Sequence, residues 1–302
     1  MYKESPIFYM GNKYKLLKDI IPMFPKNTNT FVDLFGGSGV VSMNYKGKTK
    51  TIYNEYNHNI VNLVKMFVET SPSELNDYFK QMQEKFSLED FSLPGDDRLK
   101  DGYIRRQPNF NKLRNHYNKG TKDIKDLYLL ACYSINNLIR FNQKNEFNAP
   151  SGSGCYSDKV HQKIKNFHDN MKEVEIISGN AFDFDFESLK QGDFVYCDPP
   201  YLNTQAVYNE KRAFGGWTIE SDHKLFKILE ELNTRGIKWG MSNVFVNRDI
   251  ANEHLIEWCQ KKGWRVIHLN RNYSPFSKGS SESDEVYISN YLAEPPRKKS
   301  LI

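Results

Sequence analysis

Short apolar runs alternate along most of the chain with segments in which apolar residues recur at helical spacing. The run at residues 30–34 leads into a glycine-rich turn, and the run at residues 51–54 ends before Glu55, so both are predicted strands. The next segment has apolar residues three and four positions apart, which predicts a helix. These residues are Ile60, Leu63, Val64 and Phe67. Strands that alternate with helices indicate a mainly parallel sheet covered on both faces.

Between about residues 71 and 165 this alternation lapses. The stretch contains a turn-rich segment at 93–97, a basic region and a predicted helix from about Asp123. Residues 138–154 have the pattern of a β-hairpin, because two semi-apolar runs flank 143–145 and are followed by proline and glycine. We therefore predict an inserted, mainly helical module of about 100 residues, within the usual size range of a domain.

Alternation resumes in the last part of the chain, so the inserted module interrupts a single predicted α/β domain. Strands are predicted at 174–178, Phe194–Cys197, 237–241, 265–269 and 286–291, and helices at about 225–232 and 250–261. The predicted fold class is α/β, a Rossmann-like sheet with an inserted module that carries a β-hairpin.

The composition narrows the class of protein. Hydrophobic residues make up 39% of the chain of 302 residues, and no apolar run approaches the roughly 20 residues that span a bilayer. The amino terminus lacks an apolar stretch of the signal-peptide type, so we expect a soluble, cytoplasmic protein. The cysteines lie far apart, without metal-ligand or redox spacing, and no metal site is predicted. They are Cys132, Cys155, Cys197 and Cys259.

Positive charge is concentrated in one part of a chain whose formal net charge is +5. Residues 98–126 contain nine Lys or Arg and three Asp, a local excess of six positive charges. Such a region is typical either of a surface that contacts a polyanion or of a solvated, lysine-rich surface without a partner. Charge alone favours neither interpretation. The basic tail at 295–300 is open to the same two interpretations, a DNA-gripping arm or a frayed terminus.

Polar residues and glycines follow the first two predicted strands, at the end where open α/β sheets bind ligands. In FVDLFGGSG, residues 31–39, the glycines let the backbone approach a ligand closely, and Asp33 can accept a hydrogen bond from an amine. Glu55 has the position of an acid that binds ribose hydroxyls. A plain turn and a helix-start acid are the alternatives. Since G-x-G-x-x-G and a P-loop lysine are both missing, a nucleoside cofactor without a pyrophosphate fits better.

The most specific motif is DFVYCDPPYLN at residues 193–203. Proline lacks a backbone N–H and restricts the residue before it, so the strand Phe194–Cys197 must end there. The amine of a nucleobase is a poor nucleophile because its lone pair is delocalised into the ring. Two acceptors, the Asp198 carboxylate and the Pro199 carbonyl, would draw this lone pair out of conjugation, and Tyr201 can stack on the base. The alternative is an acidic turn without chemistry.

The motifs together resemble the Dam family of DNA adenine-N6 methyltransferases, of the D12 class and α group, and most closely its phage-encoded members. The matching segments, in the family's order, are YMGNKYKLL (9–17), FVDLFGGSG (31–39), YNEYN (53–57), NNLIRFNQKNEFNAPSG (136–152), GNAFDF (179–184), DFVYCDPPY (193–201), GIKWGMSN (236–243) and DEVYISNY (284–291). The resemblance implies an S-adenosylmethionine-dependent methyltransferase domain. Its cofactor half is expected at 1–68, its catalytic half at 169–302, and a target-recognition domain that binds DNA at 69–168.

The resemblance also implies roles for individual residues. The catalytic tetrapeptide is matched by Asp198, Pro199, Pro200 and Tyr201. Cofactor-binding positions are matched by Tyr9, Lys13, Asp33, Phe35, Gly37, Ser38, Glu55, Asp183 and again Asp198. DNA-binding positions in the hairpin are matched by Leu138, Arg140, Asn142 and Pro150, with GATC as the expected site. Phe8, Ile135 and Ser153-Gly154 depart from the family pattern, which leaves recognition of flanking bases open.

Several residues keep two interpretations. Arg140 on a hairpin suits a bidentate contact with guanine, or a salt bridge to Glu146 across the hairpin. Residues 274–284 suit a loop that closes over a flipped base or a surface loop. Asn243 suits a pocket lining or a helix N-cap. Further aromatic candidates near the base are Tyr208 and Phe276.

The predicted function is a site-specific methyltransferase that acts on adenine N6 of a base flipped out of double-stranded DNA, with S-adenosylmethionine and without a metal. We expect a monomer or a weak dimer on DNA. Methylation of an RNA base or a protein amide is a second enzymatic interpretation. A third is a non-catalytic DNA-binding protein on a methyltransferase scaffold, against which the intact set of Lys13, Glu55, Asp198 and Tyr201 argues.

Overall fold

One mixed sheet forms the centre of the molecule. The computed structural model describes residues 1–9, 11–88, 101–202, 216–247, 250–269 and 283–293. In these ranges the strands are β1 (Thr28–Asp33), β2 (Lys48–Glu55), β3 (Glu175–Ser178), β4 (Phe194–Cys197), β5 (Lys238–Asn247), β6 (Ile250–Ala251), β7 (Arg265–His268) and β8 (Ser283–Ser289). The helices are α1 (Leu17–Ile20), α2 (Val40–Asn44), α3 (His58–Glu69), α4 (Pro72–Lys85), α5 (Asp101–Lys119), α6 (Ile124–Tyr133), α7 (Asp158–Met171), α8 (Ile219–Thr234) and α9 (Glu253–Lys262).

The strands lie in the order β3-β2-β1-β4-β5-β8-β7, and β6 pairs with the end of β5. The five strands from β3 to β5 are parallel, whereas β8 is antiparallel to both of its neighbours. This arrangement confirms the predicted α/β class with a mainly parallel sheet. The chain runs outward from β1 to β3 and returns to β4 on the other side of β1. The order therefore reverses between β1 and β4, and a crevice for ligands is expected there.

Both faces of the sheet are covered by apolar side chains. Phe31 and Val32, neighbours on β1, are fully buried and belong to different core clusters, because successive side chains of a strand point to opposite faces. On one face the cluster contains Val195 and Trp239 with helices α8 and α9. A strand buried on both faces reads as a continuous apolar run, which is why β1 and β4 could be predicted.

The segment between β2 and β3 is mainly helical, as predicted, and packs against the helix layer of the sheet. Phe67 of α3 makes edge contacts with Tyr128 of α6 and Phe167 of α7, with ring centroids 4.8 and 5.9 Å apart. Phe79 of α4 lies 5.5 Å from Tyr128 by the same measure. One buried cluster therefore spans α3, α4, α6 and α7. The proposed domain limits stay a prediction, and α7 runs across the limit at residue 168.

Two local predictions have a definite outcome. The hairpin is confirmed, because Phe141 pairs with Phe147 and Ser134 with Ser151 in antiparallel bridges. The predicted helix at 250–261 is wrong at its start, since Ile250 and its neighbour form β6 and α9 begins at Glu253. Pairing of Ile250 with Asn247 gives this backbone hydrogen-bond partners that helical spacing does not reveal.

Several predicted features lie outside the described residues. They are the turn at 93–97, Arg98 and Lys100 of the basic stretch, Tyr208, residues 274–282 with Phe276, and the tail at 295–300. In the part of the chain that is described, none of the helices combines the length and the apolar character needed to cross a membrane.

Candidate active site

The Asp198 carboxylate lies directly beyond β4, and both of its oxygens have partners. Lys13 Nζ lies 2.6 Å from Asp198 Oδ2 in an ion pair. Tyr201 Oη donates a hydrogen bond of 2.9 Å to Asp198 Oδ1. Burial first, and then the Asp198 charge, raise the pKa of Tyr201 well above its usual value, so this hydroxyl keeps its proton and acts as a donor. Asp198, Lys13 and Tyr201 thus form one polar cluster at the end of the strand.

Lys13 reaches Asp198 from the amino-terminal segment. It begins a 3-10 turn, Lys13–Leu16, whose start is capped by the Asn12 side chain. Its Nζ also donates to the Gly11 carbonyl at 3.1 Å and lies 5.0 Å from the centroid of the Tyr201 ring. Sequence reasoning placed Lys13 with the cofactor, whereas its ion pair with Asp198 was not predicted.

The pKa of Asp198 is set by opposing effects. Burial raises it, while the charge of Lys13, the hydrogen bond from Lys13 and the hydrogen bond from Tyr201 lower it. The side chain remains 18% exposed, so a ligand can reach the carboxylate. A carboxylate offers about four lone-pair sites and therefore can accept further hydrogen bonds while these partners stay in place.

The two prolines hold the strand end in different environments. Pro199 is buried and Pro200 is exposed. Among the described residues no group donates a hydrogen bond to the Pro199 carbonyl. The predicted acceptor pair, carboxylate and carbonyl, is therefore placed on consecutive residues of a rigid segment.

The glycine-rich turn after β1 is packed against aromatic rings. A Cβ atom on Gly36 would overlap the Tyr53 ring, and Gly37 has φ +49°. Tyr53 Oη donates to the Gly37 carbonyl at 2.6 Å. The ring of Tyr9 lies over Gly37, since a Cβ there would be 3.3 Å from Tyr9 Cδ1. These contacts explain why the turn needs glycine at both positions.

Glu55, at the end of β2, uses both carboxylate oxygens within the protein. Oε2 accepts from the Gly37 backbone N–H and Oε1 from the Asn57 N–H, each at 2.8 Å. Asn57 is the N-cap of α3. Glu55 thus links the glycine-rich turn to the start of a helix, and its predicted contact with a ribose stays a prediction.

Asp33 is a buried acid at the end of β1. Its Oδ2 accepts a hydrogen bond of 2.7 Å from Ser42 Oγ. The pKa of Asp33 is raised to about 7, mainly by burial; the charges of Asp198 and Glu55 add to this rise, and the hydrogen bonds from Ser42 oppose it. Three carboxylates therefore act on one another at adjacent strand ends, which favours a positively charged ligand.

Asn54 is a site residue that sequence reasoning missed. It is buried, and its Nδ2 donates to the Leu34 carbonyl at 3.0 Å and the Gly179 carbonyl at 3.2 Å. Its own carbonyl accepts from Gly36 N–H at 2.8 Å. Asn54 thereby ties together the loops that follow β1 and β3. The available signal was its position beside Glu55 in YNEYN.

Three aromatic side chains, Phe35, Phe182 and Trp217, pack together beside the glycine-rich turn and form an aromatic wall. Trp217 meets Phe35 edge-on and stacks on Phe182, with centroids 5.5 Å apart in both pairs. Trp217 Nε1 donates to Asp222 Oδ1 at 2.6 Å, and His254 Nε2 lies 2.7 Å from Asp222 Oδ2. Phe35 was a predicted cofactor residue, whereas Trp217, Asp222 and His254 were not found. Asp183, next to Phe182, is exposed.

The amino-terminal segment joins this site to the inserted module. Ser5 Oγ donates to the carbonyl of Ser38 at 2.6 Å, and Ser38 itself is buried. Tyr128 Oη of α6 donates to the Pro6 carbonyl at 3.1 Å. The segment that carries Tyr9 is thus held by the glycine-rich turn on one side and by α6 on the other.

The predicted DNA-binding residues lie on the hairpin of the module. Arg140 donates through Nε to Asn148 Oδ1 at 2.9 Å and through Nη2 to the Asn148 carbonyl at 2.7 Å. Glu146 Oε2 instead accepts from Asn142 Nδ2 at 2.8 Å, so the proposed Arg140–Glu146 salt bridge is wrong. The other two predicted contacts are Leu138, which is half-buried, and Pro150, which is exposed.

Asn243 is not a helix N-cap. It lies buried inside β5, and its Oδ1 accepts from the Val244 N–H at 2.7 Å. The N-cap residue of α9 is Asn252. Among the described residues there is no group of three or more His, Cys, Asp or Glu arranged to hold a metal ion.

Comparison with known proteins identifies relatives. A family model described as D12 class N6 adenine-specific DNA methyltransferase matches residues 9–273. Modification methylase StsI of Streptococcus sanguinis and type II methyltransferase M.FokI of Planomicrobium okeanokoites are each 36% identical over 297 residues, 96% of this chain and 43% of theirs. DNA adenine methylase of Escherichia coli strain K12 is 27% identical over 291 residues, 92% of either chain. The chain thus spans less than half the length of the first two relatives.

Proposed function

The chain belongs to the D12 class N6 adenine-specific DNA methyltransferase family, and we propose that it transfers a methyl group from S-adenosylmethionine to N6 of an adenine flipped out of duplex DNA. The observation that carries this proposal is the strand end at Asp198 and Pro199, where a carboxylate and a carbonyl to which no described group donates lie on consecutive residues. The relatives named as DNA adenine methylases and modification methylases support the same substrate class.

The residues around the glycine-rich turn fit a cationic nucleoside cofactor. The carboxylates of Asp198 and Glu55 lie close enough to Asp33 to raise its pKa by charge repulsion. A positively charged ligand would relieve this repulsion. The Gly37 backbone and the Tyr9 ring lie next to each other, so a ligand there would meet bare backbone and an aromatic ring. S-adenosylmethionine, when bound, supplies a methyl group made electrophilic by the sulfonium. Its contacts would come from Tyr9, Phe35, Gly37, Ser38, Glu55 and Asp183.

The chain's own groups would act on the adenine amine in a defined way. One N–H of the amine would donate to Asp198 and the other to the Pro199 carbonyl, so that the nitrogen lone pair leaves conjugation with the ring. The ionised carboxylate also stabilises the positive charge that develops on nitrogen during transfer. Lys13 supports this role because it lowers the pKa of Asp198 against the effect of burial. Tyr201 holds the carboxylate in place through its hydroxyl.

The inserted module would select the DNA site. Arg140, Leu138, Asn142 and Pro150 on or beside the hairpin are the proposed DNA contacts, and GATC is the proposed target. An adenine inside a duplex is inaccessible to a pocket at a strand end, so the base has to be extruded. The charge of the basic stretch suits contact with phosphates.

Methyl transfer to DNA tests the proposal directly. Unmethylated plasmid, RNA and a mixed protein substrate are incubated side by side with tritiated S-adenosylmethionine, and modified adenines in the plasmid are mapped by single-molecule sequencing. We expect label in DNA at N6 of adenine. Label only in RNA or protein would assign a different substrate, and tight DNA binding without turnover would indicate a non-catalytic DNA-binding protein.

Asp198→Ala tests the assigned chemistry. Removal of a group that stabilises developing charge lowers kcat by about 10²- to 10³-fold or more, and we expect at least this loss. Affinity for S-adenosylhomocysteine, measured by calorimetry, should be weakened only moderately, which shows that the fold is intact. Asp198→Asn keeps the shape but not the charge and should also be impaired. An active Asp198→Ala protein would remove Asp198 from the mechanism.

A further inference from the structure

Arg140 donates two hydrogen bonds to Asn148 across the hairpin. From this contact we infer that Asn148 is a positioning residue, which presents the Arg140 guanidinium to a guanine and so sets sequence specificity. The inference rests on the proposed function, because it concerns the DNA that the protein methylates. It concerns a residue that the comparison of motifs did not single out.

Asn148 occupies one edge of the guanidinium and leaves the other edge available. Nε and Nη2 of Arg140 donate to the Asn148 side-chain oxygen and backbone carbonyl, at 2.9 and 2.7 Å. A guanidinium has five N–H donors, so three remain, two on Nη1 and one on Nη2. No described group accepts from Nη1. The remaining edge presents two parallel donors, the arrangement that binds guanine O6 and N7.

The backbone around this contact is held on both sides. Asn148 N–H donates to the Arg140 carbonyl at 2.9 Å, which closes the hairpin next to the side-chain contact. Asn118 of α5 binds the residue before Asn148 twice, because its Oδ1 accepts from Phe147 N–H at 2.8 Å and its Nδ2 donates to Phe147 O at 3.0 Å. The backbone bond between Asn148 and Arg140 thus positions the Asn148 acceptor atoms within the hairpin before DNA arrives, so less side-chain entropy is lost on binding. The Asn118 contacts instead hold the hairpin on α5.

The charge of Arg140 is not cancelled by the hairpin. Glu146 is the acid of this hairpin, and its carboxylate accepts from the Asn142 amide instead. A neutral amide at Asn148 orients the guanidinium without neutralising it. The full positive charge therefore stays available for a contact with the electronegative edge of a base, where a charged donor gives the stronger hydrogen bonds.

The test compares wild type with Asn148→Ala on chemically altered duplexes. The methylated site is first mapped on plasmid DNA, and each of its guanines is then replaced by 7-deazaguanine, which lacks the N7 acceptor. Loss of a whole bidentate contact corresponds to roughly 5- to 150-fold in discrimination, and 7-deazaguanine removes one of its two hydrogen bonds, so its effect belongs in the lower part of this range. For wild type we expect a loss of kcat/KM in this range at one guanine. For Asn148→Ala we expect the ratio between normal and altered duplex to fall toward one.

Further variants separate positioning from simple loss of structure. Arg140→Ala should lose the same discrimination, and the double variant should lose no more, because Asn148 acts through Arg140. Asn148→Asp keeps the acceptor oxygen and therefore the position of the guanidinium, but it pairs the Arg140 charge. It should retain more of the preference than Asn148→Ala and less than wild type. Asn118→Ala loosens the hairpin without touching Arg140, so it should lower kcat/KM on normal and altered duplexes alike.

Three results would overturn the inference: an unchanged ratio in Asn148→Ala, additive losses in the double variant, or the same relaxed ratio in Asn118→Ala. A wild-type protein that methylates no DNA would instead refute the proposed function. In that case duplexes selected by affinity from a random pool replace the mapped site, and binding of their 7-deazaguanine forms gives the same ratio.

Discussion

Charge at the strand ends couples the candidate catalytic acid to its ligand. Burial raises the pKa of both Asp33 and Asp198, and the Asp198 charge raises that of Asp33 further. Lys13 opposes this at Asp198 through an ion pair of 2.6 Å. Under the proposed function, a cofactor that carries a sulfonium adds positive charge near the same acids and favours their ionised forms. Ionisation of Asp198 and binding of a cationic ligand therefore support each other.

Asp33 should make the stability of the ligand-free protein fall as pH rises. Its pKa is raised from 3.8 to about 7 in the folded protein, so the ionised form is disfavoured by folding. The penalty is absent below pH 3.8, grows between these two values and is complete above about pH 7. Asp33→Asn removes it. Relative to wild type, the free energy of unfolding of the variant should therefore increase from pH 5 to pH 8 by about 2–3 kcal/mol.

Urea unfolding at pH 5 and pH 8 without cofactor measures this difference. Asn can still accept the hydrogen bond from Ser42, so the change isolates the charge of residue 33. Asp169→Asn is the matched control, because it makes the same substitution at an exposed acid on α7. Parallel stability curves for wild type and Asp33→Asn would contradict the prediction.

At the scale of elements, local signals could predict strands but not every helix start. Two prolines, Pro199 and Pro200, follow the strand Phe194–Cys197 almost directly, so its end could be predicted. Ile250, by contrast, continues the apolar spacing of α9. Its pairing with Asn247 decides that it belongs to a strand, and such pairing depends on how the chain has turned back on itself. Strand pairing that depends on tertiary structure leaves no signal in the local pattern of apolar and polar residues.

The junction between α8 and α9 should control both stability and the aromatic wall of the site. Asp222 is buried and accepts from Trp217 Nε1, and its other oxygen lies 2.7 Å from His254 Nε2. Asp222→Ala leaves the Trp217 N–H without its acceptor, which costs about 1–3 kcal/mol of unfolding free energy. Since Trp217 packs on Phe35, affinity for S-adenosylhomocysteine should fall as well.

Thermal unfolding and calorimetry check these two effects together. His223→Ala is the comparison, because His223 follows Asp222 on α8 but is exposed, and its ring packs on His254 and Phe226 with centroids 5.9 and 6.2 Å away. It should change both quantities little. If Asp222→Ala loses stability but binds S-adenosylhomocysteine like wild type, Trp217 is not part of the cofactor wall.

For the molecule as a whole, residue types at the site could be predicted, whereas their partners could not. The motif ending in Tyr201 indicates acceptors at a strand end, but the contact of Asp198 with Lys13 joins this strand end to the amino-terminal segment, which lies far from it in the sequence. Arg140 was identified by its hairpin, yet its alternative partner was predicted as Glu146 rather than Asn148. Glu146 and Asn148 both lie on the arm of the hairpin that faces Arg140, and the side-chain geometry of the folded hairpin determines which of them accepts from it. Sequence shows which groups are present, and the fold decides which of them meet.

The basic residues of α5 should make DNA binding strongly dependent on salt. Each phosphate contact adds about 0.9 to the slope of log affinity against log salt, because a counterion is released. Lys112 and Lys119 are exposed on α5, whose Asn118 also contacts the hairpin. If both lysines meet phosphates, the double change Lys112→Gln and Lys119→Gln should reduce the slope by about 1.8 while leaving the methylated sequence unchanged.

Fluorescence anisotropy with a labelled duplex between 50 and 300 mM salt gives the slopes. The control replaces Lys227 of α8 and Lys261 of α9 by Gln, which removes the same charge from exposed positions on two helices that pack on the sheet. A loss of slope in the α5 variant alone locates phosphate binding on the inserted module. Equal slopes in the two variants would mean that net charge, rather than the basic helix, drives association, and the interpretation of the basic stretch as a DNA-contacting surface would fail.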